Sequence, residues 1–225
     1  FSYGSVDSPG FNPANGNYWA GSGNPNIGNN ITLDPKAGVE TALSVIHRQG
    51  AAYTPVANGP NGEKFYQVNA GTQPGNNLRA EWNFNYDVIT GAGHSTNDLA
   101  GVPGLSNHDF HMQIVQIVQS GPTFLSPKTA IFTLDAATHV WTDDNNPSVH
   151  FGGDDFQPGN AASADVMAHV ASNSVNLGFL KGDFGSLAIS TAAGTQYDIQ
   201  LTAFKGGTGH LETYTHDHIT LVAPV

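Results

Sequence analysis

Two histidines near the end of the chain have a spacing that suits metal binding. His216 and His218 lie two residues apart in the segment HLETYTHDHITLV, and residues i and i+2 of a β-strand point to the same face. Two imidazole nitrogens on one face can bind one transition-metal ion, such as Zn²⁺ or Cu²⁺, if a neighbouring strand supplies a third ligand. Asp217 points to the opposite face of a regular strand, so it is a poor third ligand. The same pattern also fits a solvated outer face that is rich in histidine.

A second histidine pair lies in the segment NHDFHM. His108 and His111 are three residues apart, so a regular strand places them on opposite faces and only a turn would let both bind one metal ion. In the alternative interpretation, one imidazole is exposed and the other is a hydrogen-bonded interior residue. Both residues are candidate metal ligands.

Two acidic segments have the composition of calcium-binding loops. The segments DDNN and GGDDF contain Asp143, Asp144, Asp154 and Asp155 beside Gly and Asn, and Ca²⁺ prefers six to eight oxygen ligands. Neither segment has the regular ligand spacing of an EF-hand loop. Asp and Asn are also common turn residues, because their side chains bond backbone N–H groups. There are two interpretations: a calcium site that both loops share, or a pair of ordinary turns.

No sequence motif indicates catalysis. The chain has no Gly-x-Ser-x-Gly, no His-Glu-x-x-His and no phosphate-binding loop, and its lack of Cys excludes thiolate nucleophiles and Cys-ligated zinc. The carboxylate pair of a glycoside hydrolase needs only to meet in space, so a glycan-active enzyme or a carbohydrate-binding module stays an alternative. The aromatic residues considered for stacking on a sugar are Tyr18, Trp19, Tyr53 and Trp141.

Composition restricts the partners and the location. The net charge is −11, with 7 Lys and Arg against 18 Asp and Glu, so a phosphate-rich partner such as nucleic acid or an anionic membrane surface is disfavoured. A divalent cation or an extracellular polysaccharide is easier to accommodate. No apolar run reaches the ~18–20 residues of a membrane span. The chain starts at Phe1 without Met, which is the start that removal of a signal peptide would leave, so export is expected.

The same composition predicts an all-β fold. Charged residues are only 11%, whereas 27 Gly and 13 Pro supply many turns. The segment LRAEWNFNYDVIT (78–90) alternates apolar residues with Arg79, Glu81, Asn83, Asn85 and Asp87, as a strand with one buried and one wet face does. Other strands are predicted at 41–49, 63–70, 108–120, 129–135, 138–144, 174–182, 195–206 and 210–222, and only 160–174 could pass for a helix. Hairpins are predicted for 129–135 with 138–144 and for 195–206 with 210–222. These elements predict an antiparallel β-sandwich, or jelly-roll-like fold, with Leu211, Ile219 and Leu221 in its core.

One domain over residues 1–225 is expected, because no clear linker interrupts the chain. Residues 1–41 are dominated by turn-forming residues and are predicted to form an irregular N-terminal arm. This arm would pack on its own domain or on a neighbouring molecule, where an extended segment can add a strand to a sheet edge.

The end of the chain resembles a known family. The segment AAGTQYDIQLTAF, the last strand and the final Val-Ala-Pro-Val are similar to the ending AxGTYxxxLTAxxxxGxxLxxxxIxV of exported β-sandwich proteins of Gram-negative bacteria that carry a PEP-CTERM sorting tag. The match is clearest over residues 193–225, and the strand order from residue 78 onward also fits. The tag itself is absent from this sequence.

The resemblance implies a secreted protein of the cell surface or the extracellular matrix, associated with exopolysaccharide or biofilm. The family has no common catalytic residues, so it implies none here. Together with the residues above, it leads to the expectation of a non-enzymatic structural protein that has divalent-cation sites and self-assembles. The carbohydrate-binding module or glycan-active enzyme is the competing hypothesis.

Overall fold

The structure is a computed structural model that describes residues 30–48, 53–73, 75, 79–91, 101–152, 168–177 and 189–224. Within these ranges the chain consists of β-strands, turns and one 3₁₀ turn at Leu105–Asn107, and none of its elements is a helix that could cross a membrane. The strands are β1 (Asn30–Asp34), β2 (Val39–His47), β3 (Ala57–Asn58), β4 (Lys64–Asn69), β5 (Trp82–Thr90), β6 (His108–Ile117), β7 (Gln119–Ser120), β8 (Thr123–Phe124), β9 (Lys128–Asp135), β10 (Val140–Asp143), β11 (His150–Gly152), β12 (Val170–Val175), β13 (Gln196–Lys205) and β14 (His210–Val222).

Two sheets form a β-sandwich, which confirms the predicted fold class. The smaller sheet has the order β1-β2-β5-β12, and the larger has the order β11-β10-β9-β6-β13-β14-β4-β3; strands β7 and β8 form a separate ribbon. The predicted hairpins β9–β10 and β13–β14 are both present. The large sheet is mixed rather than purely antiparallel, because β4 pairs parallel to β14.

Aromatic side chains fill the space between the two sheets. Trp82 of β5 contacts Tyr197 of β13 with ring centroids 5.5 Å apart, and Tyr86 meets Trp141 of β10 edge to face at 5.5 Å. Trp82, on the apolar face predicted for the strand at 78–90, is a core residue. Trp141 was a candidate for sugar stacking, but it is 0% exposed. It packs between the sheets and has no open ring face for a sugar.

The second face of β5 is also buried, so the predicted wet face is wrong. Asn83, Asn85 and Asp87 are buried although they alternate with the apolar residues. Neighbouring strands supply hydrogen bonds: Asn83 Nδ2 donates to Ser174 Oγ at 2.9 Å, and Asn85 Nδ2 donates to Ser44 Oγ at 3.2 Å. Buried polar side chains are tolerated where they are hydrogen-bonded. The alternation therefore marks two chemically different buried faces.

Part of the predicted N-terminal arm is a strand. Residues 30–34 form β1, which pairs antiparallel with β2, whereas residues 1–29 lie outside the described ranges. The turn between the strands is stabilised by the Asp34 carboxylate, whose Oδ1 accepts hydrogen bonds from the backbone N–H groups of Lys36 (2.8 Å) and Ala37 (3.2 Å). Gly38 closes it with a φ of 66°, which suits Gly because it lacks Cβ.

Strand β12 differs from its predicted position. It begins at Val170, inside the segment 160–174 that could have passed for a helix, and it overlaps the predicted strand 174–182 only at its end. Pairing of Val170 with Ile89 and of Val175 with Phe84 defines it as the neighbour of β5. Long-range pairing, rather than local apolar spacing, therefore determines this element. Residues 153–167 and 178–188 lie outside the described ranges.

Strand β14 carries a buried carboxyl group on its inner face. The Asp217 side chain accepts a hydrogen bond on Oδ1 from Asn30 Nδ2 at 3.1 Å, whereas Oδ2 has no hydrogen-bond partner among the described residues. Burial raises the pKa of Asp217 to about 8, and the Asn30 hydrogen bond and the charge of Lys64 oppose this rise only in part. Burial of its own side chain likewise raises the pKa of Tyr66, and Asp217, when it is ionised, adds to this rise. Asp217 is therefore a neutral acid at neutral pH.

This carboxyl group makes the folding stability depend on pH. The unfolded chain releases its proton near the ordinary pKa of 3.8, whereas the folded chain retains it up to about pH 8. Between these values the folded state binds one more proton, so the stability falls as the pH rises, by up to about 1.4 kcal/mol per unit. Asp217→Asn mimics the neutral acid and abolishes this contribution.

The unfolding free energies of wild type and Asp217→Asn are compared by urea unfolding in the presence of a chelator. We expect the stability of Asp217→Asn relative to wild type to be several kcal/mol greater at about pH 9 than at about pH 5. A difference between the two that does not change with pH would contradict the assignment of a neutral Asp217.

Candidate metal centre

Strands β13 and β14 bring three metal-ligating side chains together on the outer face of the large sheet. His216 and His218 point to this face, as predicted from their spacing, and Asp198 of β13 lies directly opposite His218 in the strand register. One possible ligand atom from each residue lies within 4.8 Å of the others. The cluster Asp198–His216–His218 could therefore hold a metal ion.

The third ligand was predicted only to come from a neighbouring strand, and a β-bulge determines which residue of β13 stands opposite His218. The pairing runs Lys205↔His210 and Phe204↔Leu211, and then shifts to Ala203↔Thr213, so Glu212 is an extra residue on β14. Counting back from the turn without this shift would place Asp198 opposite Asp217, on the buried face. The bulge moves it by one residue and so onto the histidine face.

The bulge also explains why the prediction for Leu211 is wrong. Leu211 was expected in the core with Ile219 and Leu221, but it is 50% exposed, whereas the other two are buried. Side chains alternate between faces only while the strand is regular. Beyond the extra residue Glu212, the alternation is inverted, and Leu211 lies beside Phe204 on the outer face.

His218 forms the solvent-facing part of the cluster. Its Nδ1 lies 2.5 Å from Asp198 Oδ1, and the two side chains are 28% and 30% exposed. On its other side the imidazole stacks on Phe65 of β4, with centroids 4.3 Å apart and planes 7° apart. This stacking limits the rotation of the ring, so the nitrogen that faces Asp198 is held in place.

The Nε2 nitrogen of His216 also faces Asp198. Its Nδ1 lies 3.0 Å from the Tyr214 hydroxyl, while its Nε2 is buried, has no hydrogen-bond partner among the described residues and lies 4.0 Å from Asp198 Oδ1. Burial lowers the pKa of His216, as does the charge of His218, against opposing effects of Asp198 and Glu63. The ring is therefore neutral at neutral pH, and the tautomer whose Nδ1–H donates to the Tyr214 oxygen has a free lone pair on Nε2.

The distances between the candidate ligand atoms are close to those between the ligands of a bound metal ion. Ligands about 2.1 Å from a tetrahedral ion lie about 3.4 Å apart. Asp198 Oδ1 lies 4.0 Å from His216 Nε2 and 2.5 Å from His218 Nδ1. The first distance is longer than that value, and the second is shorter. Two imidazoles and one carboxylate leave one position of such an ion open.

His108 and His111 are not brought together. They lie on opposite faces of β6, as the spacing predicts for a regular strand. His108 Nδ1 lies 2.7 Å from Glu212 Oε2, whereas His111 Nδ1 lies 3.2 Å from Thr133 Oγ1 on the outer face. The two histidines do not form a shared site.

The two carboxylates of the acidic segments that the structure describes already accept hydrogen bonds. Asp143 Oδ1 accepts hydrogen bonds from the backbone N–H groups of Asn145 (2.7 Å) and Asn146 (3.2 Å), and Asp144 Oδ1 accepts one from the Thr133 hydroxyl at 2.7 Å. Neither belongs to a group of three metal-ligating side chains in the described ranges. Asp143 has the ordinary turn role that the composition also allowed, and Asp144 bonds to strand β9. Asp154 and Asp155 lie outside the described residues.

Among the described residues, the remaining aromatic candidates do not form a sugar-binding surface. Tyr53 is half-buried, and its ring stacks on His47 with centroids 3.7 Å apart, so one of its faces is covered. Tyr18 and Trp19 lie outside the described residues.

Comparisons with known proteins return no relative from which a function could be transferred. No family model, no curated protein and no solved structure matches this chain. A β-sandwich alone does not specify an activity, because one fold supports many unrelated sites. The chemistry of the Asp198–His216–His218 cluster is therefore the basis for a functional proposal.

Proposed function

We propose that this protein is a non-enzymatic, metal-binding structural protein of the bacterial cell surface or extracellular matrix. In this proposal Asp198, His216 and His218 bind one divalent transition-metal ion. The observation that carries it is the buried, unpaired Nε2 of His216, which lies 4.0 Å from Asp198 Oδ1. A buried polar atom without a partner costs free energy, and a metal ion would provide that partner.

The ligand set favours Zn²⁺ or Cu²⁺ over Ca²⁺. Imidazole nitrogen suits Zn²⁺ and Cu²⁺, whereas Ca²⁺ takes six to eight oxygen ligands. The cluster offers two nitrogens and one carboxylate. The calcium hypothesis depends on the acidic loops, where the described carboxylates already bond to neighbouring groups.

The surroundings of His216 support a role as a metal ligand. A metal-bound histidine usually donates its second ring N–H to a fixed acceptor, which orients the ring and selects the tautomer. Tyr214 stands at that position, with its hydroxyl 3.0 Å from His216 Nδ1. The site thus has a supporting contact as well as its ligands.

Sequence features support the extracellular location and the role in a matrix. The ending of the chain resembles that of PEP-CTERM-tagged exported proteins, in which biofilm and exopolysaccharide association is implied. The excess of 18 acidic over 7 basic residues and the absence of Cys are compatible with such a location. Self-assembly is part of the proposal, because three protein ligands on an accessible surface leave a coordination position that a second molecule can fill.

Metal titration tests the site directly. Wild-type protein, first stripped of metal, is titrated with Zn²⁺ and with Cu²⁺ in a calorimeter. We expect one ion per chain, and His216→Ala or His218→Ala should weaken binding by more than about 100-fold, because losing a ligand costs more than the ~10–100-fold lost with an outer partner. His150→Ala is the matched control, since His150 is exposed and lies on β11. If wild type bound neither ion more tightly than the His216→Ala/His218→Ala double variant does, the proposal would be wrong.

Removing the supporting hydroxyl tests the orientation of His216. Tyr214→Phe leaves all three ligands but removes the acceptor of the Nδ1–H, so Zn²⁺ affinity should fall by about 10–100-fold with unchanged stoichiometry. Tyr53→Phe, which removes a hydroxyl away from the cluster, should bind Zn²⁺ like wild type. Equal affinities for the two variants would show that Tyr214 does not support the site.

Light scattering tests whether the ion promotes self-association. In the presence of Zn²⁺ we expect a mass larger than that of one chain, and a return to the monomer mass after a chelator is added. His218→Ala should stay monomeric in both conditions. A wild-type chain that binds Zn²⁺ and stays monomeric would remove self-assembly from the proposal and leave metal binding in place.

A further inference from the structure

An open cleft lies at the end of the sandwich where the β13–β14 turn meets the β1–β2 turn. Its volume is about 630 Å³, within the ~300–1,000 Å³ of small-molecule sites. Its polar lining includes His108, which pairs with Glu212, together with Asp34, Lys36, Asn107, Lys205 and His210. The cleft shares no residue with the Asp198–His216–His218 cluster.

The floor of the cleft contains a rigid carboxylate. Glu212, the extra residue of the bulge, is 5% exposed and lies 2.7 Å from His108 Nδ1 through its Oε2. Because an ionised carboxylate only accepts hydrogen bonds, the proton of this bond is on Nδ1. Glu212 Oε1 accepts no hydrogen bond from the described residues, yet it is not a buried atom. It is therefore a fixed acceptor that is open to the cleft.

Hydrogen-bond donors and acceptors both surround the Glu212 carboxylate. Asp34 uses Oδ1 in the β1–β2 turn, and its Oδ2 is a second acceptor that receives no hydrogen bond from the described residues. The ammonium groups of Lys36 and Lys205 supply donors, and neither lysine belongs to an ion pair within the described ranges. These two lysines are a large share of the 7 basic residues in the chain, and they converge on one cleft.

The balance of these groups indicates the chemical class of the ligand. Two ammonium groups and two carboxylates leave little net charge, which disfavours a strongly ionic ligand. A hydroxyl group both donates and accepts hydrogen bonds, so a molecule with several hydroxyls can satisfy donors and acceptors together. Ala37 and Pro103 add apolar surface to the walls, against which C–H groups can pack. We propose that this cleft binds a neutral saccharide unit, as a second site independent of the metal centre.

Binding of defined oligosaccharides tests the inference. Neutral tetrasaccharides of glucose, galactose or mannose are titrated into the full chain by calorimetry, in the presence of a chelator. We expect at least one to bind, and the double variant Lys36→Met/Lys205→Met to bind it about tenfold or more weakly, because it loses charged hydrogen-bond donors. Asp34→Asn, which keeps an oxygen for the turn, should also weaken binding.

Two control variants separate this site from the rest of the molecule. Lys128→Met alters an exposed lysine at the start of β9 and should bind the saccharide like wild type. His218→Ala should also bind it like wild type, so the result does not depend on the proposed metal function. Absence of binding for all three neutral tetrasaccharides, or equal binding by wild type and both cleft variants, would overturn the inference. Tighter binding of a uronate tetrasaccharide would overturn the assignment to a neutral ligand.

Discussion

The β-bulge between β13 and β14 determines which side chains meet at both candidate sites. The extra residue, Glu212, shifts the pairing by one position and so inverts the faces of one strand relative to the other. Toward the middle of the sheet, this shift places Asp198 opposite His218 rather than opposite Asp217. At the turn, it directs Glu212 to His108 and leaves Leu211 in solvent. A regular hairpin of the same residues would have neither the metal cluster nor the His108–Glu212 pair.

Strand β14 is held from its inner side at the level of the metal cluster. Asn30 Nδ2 donates to the backbone oxygen of His216 at 2.7 Å, and the Thr32 hydroxyl donates to that of Tyr214 at 2.8 Å. The hydroxyls of Thr41 and Thr215 are 2.8 Å apart across the two sheets. These contacts fix the backbone from which His216 and His218 project, and a site on a rigid element keeps its geometry. The polar residues inside the sandwich therefore support the arrangement outside it.

Several expectations followed from sequence pattern because they depend on local geometry. Alternation correctly predicted that His216 and His218 share a face and that Asp217 turns inward, and turn residues correctly predicted two hairpins. The pattern was misleading where burial depended on distant strands. Trp141 is inside because β10 packs opposite Tyr86, and Asn83 and Asn85 are buried because Ser174 and Ser44 receive their hydrogen bonds.

The sequence by itself thus determined the fold class, the strand-rich character and the histidine pair, since these arise from side-chain chemistry and from the two-residue period of a strand. Only the tertiary structure decided that Asp198 is the third member of the cluster and that Glu212 and two lysines meet in a cleft. The physical reason is register: which residues face each other across strands depends on a single extra residue and on long-range pairing. The spacing of residues within one segment predicts neither the extra residue nor the long-range pairing.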